Sequence, residues 1–178
     1  MRSTAIVLLA ALVFASGCSL KSQGGMAMSR GDYPKAISIY SQALAENPQD
    51  NFAVRKLGQA EVYNGNYAQA ETRFRGYLAQ HPGDWFSTFY LGLALIGQGQ
   101  RDAGFEVLSG YVNSGSQEES RLVGEAVDRY RGNAELTAPE LMSKLEQALA
   151  SAQQAQVQYD RDTREFGGRN DMKYLTPM

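Results

Sequence analysis

Residues that could carry chemistry are few in this chain of 178 residues. It contains one cysteine, Cys18, and one histidine, His81. A zinc site needs several Cys, His or carboxylate ligands, and a Ser-His-Asp triad needs a histidine held between its two partners. His81 lies in the turn sequence QHPGD, where a polar turn residue is the simpler interpretation. We therefore expect no metal site, no cofactor and no catalytic triad.

Three other patterns could be read as sites, and each has a simpler explanation. Glu118 and Glu119 are adjacent carboxylates, but in the first turn of a predicted helix they favour its dipole. Ser109 in GFEVLSG lacks the glycine spacing of a nucleophile elbow, and no predicted strand precedes it. The glycine-rich sequence EFGGRND at 165–171 opens no predicted helix, which disfavours a phosphate loop. The sequence favours a protein that is not an enzyme; an enzyme whose site is supplied by the C-terminal tail is the alternative.

The position of Cys18 indicates chemistry of a different kind. Arg2 is followed by eleven apolar residues at 5–15. A membrane-spanning helix needs about 20 such residues. A shorter run is typical of a secretory signal peptide, which is cleaved after small residues. Small residues occupy 15–17, and Cys18 follows them directly.

This arrangement resembles the bacterial lipobox, in which a cysteine is alkylated with diacylglycerol and the chain is cut just before it. The resemblance implies a lipoprotein signal peptide at 1–17 and a mature chain that begins at an acylated Cys18. Ala15 departs from the leucine that is usual at that position of the pattern. The alternatives are a plain secretory signal peptide with an incidental cysteine, and a buried core helix that starts at Met1.

A single cysteine suits an acylated protein. A leftover thiol in an oxidising compartment would be reactive or would pair between chains. Conversion to a thioether removes the thiol, and two acyl chains are enough for stable anchoring. Ser19 follows the cysteine, whereas an Asp there resembles the inner-membrane retention signal of enteric bacteria. We therefore expect, for a Gram-negative source, a lipid anchor in the outer membrane and a chain that faces the periplasm.

The charge balance argues against a nucleic-acid partner. Without Arg2 the chain keeps 16 basic and 19 acidic side chains, and they are mixed along the sequence with no basic block. Nucleic-acid-binding proteins have a clustered basic surface. Alanine, leucine and glutamine are plentiful and β-branched residues are few, which favours helices.

Three segments repeat without gaps at one constant spacing. They begin at Gly31, Gly65 and Gly99, and read GDYPKAISIYSQALAENPQD, GNYAQAETRFRGYLAQHPGD and GQRDAGFEVLSGYVNSGSQE. Small residues recur at one position of the repeat and large apolar residues at another: Ala36, Ala70 and Gly104, then Tyr40, Phe74 and Leu108. Upstream, glycines share a further position: Gly24, Gly58 and Gly92. Small residues such as Gly58 and Ala70 would let two helices approach closely, and Pro48 and Pro82 would end helices.

This pattern resembles the tetratricopeptide repeat (TPR), a pair of antiparallel helices in about 34 residues. The resemblance implies an all-α helical-hairpin solenoid, with about three repeats in 18–116. Two capping-box patterns then predict a C-terminal helix pair in 117–159. The segment 160–178 has no periodicity, and we expect a mobile tail there. Predicted helices lie near 20–30, 33–46, 51–64, 67–80, 85–98 and 101–113, with Asp50 and Asp84 as N-caps.

The resemblance also implies a partner-binding groove, because the first helix of each TPR pair lines the concave face. Eight residues would face it: Phe52, Arg55, Gln59, Tyr63, Phe86, Phe89, Leu93 and Ile96. The sequence WFSTFYLGLALIG at 85–97 would form a helix that is apolar on nearly all sides. Such a helix is expected to be covered on two sides or to line a groove. The alternative is that these residues form core against a neighbouring repeat or the C-terminal helices.

Taken together, these patterns predict a lipid-anchored binding module. Lipoproteins of this kind resemble the pilotin-like assembly factors of type IV and tight-adherence (Tad) pilus systems. That resemblance implies a protein partner, a secretin or another pilus-assembly subunit, with membrane attachment through the N-terminal lipid. An envelope scaffold for peptidoglycan enzymes or for outer-membrane protein assembly is the alternative, and shares the fold.

Overall fold

A computed structural model describes residues 16–113 and 116–170, and every element in them is a helix. The helices are α1 (Ser16–Ser29), α2 (Tyr33–Glu46), α3 (Asn51–Tyr63), α4 (Tyr67–Leu78), α5 (Trp85–Gly97), α6 (Arg101–Ser109), α7 (Gln117–Arg131) and α8 (Ala138–Asn170). The predicted all-α helical-hairpin class is confirmed. Most of the predicted signal peptide, residues 1–15, lies outside the described residues. The chain divides into two compact units, Met1–Val107 and Leu108–Met178.

Glycine ends the first helix of each hairpin in the N-terminal unit. Gly31, Gly65 and Gly99 have φ angles of 72°, 78° and 80°. Side chains other than glycine rarely adopt this left-handed conformation, so it explains why glycine recurs at this position of every repeat. The repeat predicted from sequence is therefore a repeat of backbone geometry.

Aspartates begin three of the helices in this unit. Asp50 accepts hydrogen bonds from the backbone N–H groups of Phe52 and Ala53, at 3.1 and 3.2 Å. Asp84 accepts one from the N–H of Ser87 at 2.7 Å, which confirms both predicted N-caps. Asp32 caps α2 in the same way, through the N–H of Lys35 at 3.2 Å.

In the first two hairpins a glycine of the first helix faces an aromatic ring of the second. A Cβ added at Gly58 would lie 2.5 Å from the ring of Phe74, and one at Gly24 would lie 2.6 Å from the ring of Tyr40. The sequence predicted close helix contact at Gly58 and Ala70. Ala70 is fully buried, but it is the Phe74 ring that fills the space over the glycine.

The C-terminal unit contains its own helical hairpin, α7 and α8. Ser116 caps α7 by accepting a hydrogen bond from the N–H of Glu119 at 3.0 Å. Its hydroxyl also lies 2.9 Å from Oε1 of Gln156, which brings the start of α7 beside the later part of α8. An apolar stripe along α8 is buried: Leu141, Leu145, Leu149 and Ala152.

Helix ends differ from the sequence predictions at several points. Helix α4 ends at Leu78, two residues earlier than predicted. Helix α6 ends at Ser109, where Gly110 begins a turn, and not at 113. The compact units divide between Val107 and Leu108, and the predicted end of the repeats at 116 stays a prediction. Helix α8 continues to Asn170, into the segment expected to be a mobile tail, where no proline interrupts it. Residues 171–178 of that predicted tail lie outside the described residues.

Candidate functional site

Three of the eight predicted groove residues are core residues in the structure. Phe89, Leu93 and Ile96 are 0%, 0% and 1% exposed. Ile96 packs on Gly104, where an added Cβ would lie 2.6 Å from its Cγ1. The prediction that these three side chains line an open groove is therefore corrected. Their apolar character reflects burial on more than one side of α5, which was the alternative interpretation.

The other five predicted residues remain at least partly exposed, on α3 and α5: Phe52, Arg55, Gln59, Tyr63 and Phe86. The structure adds neighbours that the sequence prediction omitted: Lys21, Tyr33, Lys56, Trp85 and Tyr90. Lys56 and Tyr90 occupy the same position of successive repeats, so the repeat could have identified them. Tyr33 belongs to α2, a second helix of a pair, and a prediction restricted to first helices could not include it.

A hydrogen-bonded group of polar and aromatic side chains lies at the centre of this surface. The Lys56 ammonium donates to Oε1 of Gln59 at 2.9 Å, and Nε2 of Gln59 donates to the Tyr90 hydroxyl at 2.5 Å. The hydroxyls of Tyr63 and Tyr90 lie 3.1 Å apart, and the rings of Tyr33 and Tyr63 are 5.2 Å apart. We call the partly exposed members of this group the central face: Tyr33, Lys56, Gln59 and Tyr63.

Two cations pack over one aromatic ring beside the central face. The Lys56 ammonium lies 4.7 Å from the centre of the Phe86 ring, and the Arg55 guanidinium lies 5.5 Å from it. Burial lowers the pKa of the Lys56 ammonium, and the neighbouring Arg55 charge lowers it further. Nε of Arg55 is buried and has no hydrogen-bond partner. The Asp84 carboxylate, 3.1 Å from Nη1 of Arg55, compensates part of the positive charge of these two side chains.

An inter-repeat contact pattern recurs with the period of the sequence repeat. Lys21 pairs with Asp50 at 2.9 Å and lies 5.4 Å from the centre of the Phe52 ring. One repeat later, Arg55 pairs with Asp84 at 3.1 Å and lies over Phe86. Each cation thus joins its helix to the N-cap and the first-turn phenylalanine of the next first helix. The pattern stops at the third repeat, where the buried Phe89 stands in place of the cation.

These contacts bring the N-terminal turns of α1, α3 and α5 along one edge of the N-terminal unit. Phe52 is 36% exposed on this edge, and Trp85 and Phe86 are half-buried, with ring centres 5.9 Å apart. We call Phe52, Trp85 and Phe86 the aromatic edge.

Three of the residues first considered for catalysis contact neighbouring side chains in the structure. The ring of His81 lies 4.3 Å from the ring of Tyr77. Glu118 pairs with Arg121 on the surface, whereas the neighbouring Glu119 is buried and accepts hydrogen bonds from Tyr111 and Asn113. Burial, and then Glu119, raise the pKa of the Tyr111 phenol well above its ordinary value.

Within 16–113 and 116–170 there is no cluster of potential metal ligands. In the same ranges, no helix combines the length and the apolar character needed to cross a membrane.

Comparison with known proteins agrees with the repeat geometry. A family model described as tetratricopeptide repeat matches residues 27–87. This segment runs from the last turn of α1 to the first turn of α5, and includes the whole hairpin of α3 and α4. No curated protein and no solved structure matches the chain significantly. The match supports a TPR protein, a class that serves in protein–protein interaction or as a scaffold.

Proposed function

We propose that this chain is a lipid-anchored binding module that holds a protein partner against the central face. The observation that carries the proposal is the partly exposed group of Tyr33, Lys56, Gln59 and Tyr63, held in place by hydrogen bonds and ring contacts. Such a preordered surface loses little side-chain entropy when it binds. Aromatic and cationic side chains are also the types that contribute most to binding at protein interfaces.

The partner segment that suits this surface combines an apolar side chain with hydrogen-bond acceptors. Tyr33 and Tyr63 offer ring surface, and the Lys56 ammonium can donate to a partner carbonyl or carboxylate in addition to Gln59. The partly compensated charge of Arg55 and Lys56 favours acceptors over a second cation. An extended or helical segment of a partner protein supplies such groups along one side.

The cellular setting of the proposal rests on the sequence resemblances. Acylation at Cys18 would attach the chain to the outer membrane, with the repeats in the periplasm. The partner is then a secretin or another subunit of a type IV or Tad pilus, whose assembly the protein assists. The alternative function, an envelope scaffold for peptidoglycan enzymes or for outer-membrane protein assembly, uses the same face and differs in the partner.

Site-specific photo-crosslinking in cells tests both the face and the partner. A crosslinking amino acid replaces Gln59 on the central face or, as a matched control, Gln69, which is exposed on α4. We expect a specific crosslinked product at 59 and not at 69, which mass spectrometry then identifies. A secretin or pilus subunit supports the assembly function, and a peptidoglycan enzyme or outer-membrane protein supports the scaffold. The same products at both positions, or none at 59, would contradict the proposed face.

A binding measurement with the purified partner then tests the energetic contribution of the face. Tyr63→Ala removes a ring and the hydroxyl that lies near Tyr90. If Tyr63 is a principal contact, affinity should fall by about 2 kcal/mol or more, the range of interface hot spots. Thermal unfolding of the same variant separates lost binding from lost stability, because only a loss of affinity in a folded variant supports the face.

A further inference from the structure

Cys18 stands in line with the two phenylalanines of the aromatic edge. Residues 18, 52 and 86 share one position of the sequence repeat, on α1, α3 and α5. The structure connects them through side-chain contacts. Lys21, three residues after Cys18, contacts Asp50 and Phe52, and Arg55, three residues after Phe52, contacts Asp84 and Phe86. The proposed acylation site and the aromatic edge are therefore at the same edge of the N-terminal unit.

The folded unit begins immediately after the proposed anchor. Helix α1 already includes residue 18, and Leu20, two residues later, is 6% exposed and packs in the hydrophobic core. Two residues of chain span at most about 7 Å. An acyl chain on Cys18 would therefore hold the rigid helical array directly at the lipid surface, without a flexible tether.

The edge has the dimensions to reach that surface along its length. Packed helices lie roughly 8–10 Å apart, so Phe52 and Phe86 follow Cys18 at steps on the order of 10 Å. With Cys18 held at the lipid headgroups, a modest tilt of the array is enough to bring both rings to the same depth. A tilt of the opposite sense would instead leave both rings in water.

The chemistry of the edge favours contact with lipid. Trp and Phe side chains with neighbouring Lys and Arg are typical of surfaces that rest at a membrane interface. On this edge Phe52 is exposed, Trp85 and Phe86 are half-buried, and the cations Arg55 and Lys56 pack over the Phe86 ring. Asp84 pairs with Arg55 on this edge, so it is the Lys56 ammonium that best suits the anionic headgroups of a bacterial membrane.

We propose that the aromatic edge rests in the headgroup layer of the membrane that holds the acyl chains of Cys18. The inference rests on the acylation in the proposed function and extends it. The anchor and the edge together fix the orientation of the array, with the N-terminal turns of its first helices at the lipid and the turn glycines Gly31 and Gly65 away from it. The central face then extends away from the lipid, from Lys56 on the membrane side to Tyr33 and Tyr63 at the far end of the helices.

Trp85 is the only tryptophan of the chain and lies on the proposed contact, so it reports directly. The full acylated protein is reconstituted into vesicles of phosphatidylethanolamine and phosphatidylglycerol, with and without brominated acyl chains. We expect Trp85 emission to shift to shorter wavelength relative to the acyl-free Cys18→Ser protein in solution. We also expect brominated lipids to quench most of this emission. Unshifted and unquenched emission from the acylated, vesicle-bound protein would overturn the proposal.

A second reporter position provides the matched control. The variant Trp85→Phe with Asn64→Trp moves the tryptophan to the opposite end of α3, about 20 Å from its first turn. Asn64 is exposed, and we expect its replacement to show little quenching. Equal quenching at 64 and 85 would overturn the proposal, because the unit would then have no fixed edge at the lipid. If this variant does not fold, Gln69→Trp in the Trp85→Phe background reports from the same end.

The measurements also separate this inference from its premise. Intact-mass analysis shows whether Cys18 carries acyl chains. If it does not, the proposed anchor is contradicted, and not the proposed membrane contact of the aromatic edge. If Cys18 is acylated and Trp85 stays unquenched, the anchor stands and the edge assignment fails.

Discussion

Gly58 and Gly76 are both helical glycines, but their surroundings predict opposite effects of the same substitution. A Cβ at Gly58 would lie 2.5 Å from the Phe74 ring, which is fully buried and stacked near Tyr90. Because the ring has no free space, we expect Gly58→Ala to lower the free energy of unfolding by about 1–3 kcal/mol, the usual cost of overpacking. Denaturant unfolding of the parent and the variant measures this difference.

Gly76→Ala is the matched control in the neighbouring helix α4. An added Cβ at Gly76 meets no atom within 4 Å, so only backbone entropy changes. Alanine is favoured over glycine inside a helix by up to about 1 kcal/mol, so this variant should be equal to the parent or more stable. Equal stability of Gly58→Ala and Gly76→Ala would show that the two helices do not meet at Gly58.

Phe89 and Phe52 provide a second comparison at the residue scale. Both were predicted groove residues, yet Phe89 is fully buried and Phe52 is exposed on the aromatic edge. We expect Phe89→Ala to lower the free energy of unfolding by about 3–5 kcal/mol, as for other buried phenylalanines, and Phe52→Ala to lower it much less. Thermal and denaturant unfolding of both variants check this, and equal costs would mean that the burial of Phe89 is wrongly assigned.

The difference between these two phenylalanines shows what the sequence could predict of the site. The period identified positions with common backbone geometry, so it located the turn glycines and the N-caps Asp50 and Asp84. The period could not separate exposed from buried residues in the first helix of each hairpin, because burial depends on what packs over each position. The apolar composition of α5 contained that signal, since a helix that is apolar nearly all round is buried on more than one side.

At the scale of helices, the recurring contacts of Lys21 with Asp50 and of Arg55 with Asp84 link successive repeats. Burial raises the pKa of the Asp50 carboxyl, but the hydrogen bond and charge of Lys21 and the N–H groups of Ala53 and Phe52 together lower it below its ordinary value. A carboxyl with a lowered folded-state pKa stabilises the fold above its unfolded-state pKa, near 3.9. This contribution is lost as the pH falls through the folded-state value.

Asp50→Asn should therefore reduce the acid sensitivity of the fold. The variant loses the Lys21 ion pair, so we expect lower stability than the parent at pH 7. We also expect the difference to shrink as the pH falls below about 4, because the parent then loses the same charge. Thermal unfolding from pH 7 to pH 3 measures both curves. Glu106→Gln removes an exposed carboxylate of α6 as a control. A constant difference between parent and Asp50→Asn across this range would contradict the role given to the charge.

Helix boundaries show a second limit of the sequence at this scale. Capping patterns predicted the starts of α7 and α8, and the structure confirms both. The N–H of Glu119 donates to the Ser116 hydroxyl, and the N–H of Thr137 donates to the Glu140 carboxylate. The C-terminal helix pair was predicted to end at 159 and the buried apolar stripe of α8 stops at Ala152, but the helix runs on to Asn170. Periodicity reports the part of a helix that is packed, and a helix can continue past its packing partner while its residues favour the conformation.

For the molecule as a whole, the sequence indicated one helical solenoid followed by a C-terminal helix pair, whereas the structure divides into two units that each have a buried set of their own. In the N-terminal unit aromatic rings fill the space over helical glycines, as Tyr40 and Phe74 do. In the C-terminal unit leucines of α8, Leu141 and Leu145, are fully buried. The repeat period identified the glycine and aromatic positions of the first set, and the second set follows leucines spaced four residues apart along α8. The boundary between them lies inside α6, where no change in composition marks it.

The attachment of the whole molecule to a membrane depends on one side chain in our proposal, and a pair of substitutions tests it. Cys18→Ala removes the sulfur that the diacylglyceryl group would modify, so we expect an unacylated protein that is lost from the membrane fraction. Ser19→Asp keeps the sulfur and introduces the residue that resembles an inner-membrane retention signal. It should therefore remain acylated and, in an enteric host, move from the outer to the inner membrane. Intact mass and density-gradient fractionation of both variants and the parent measure the outcome. If Cys18→Ala protein keeps the mass and the outer-membrane fractionation of the parent, the chain is held there by something other than this cysteine.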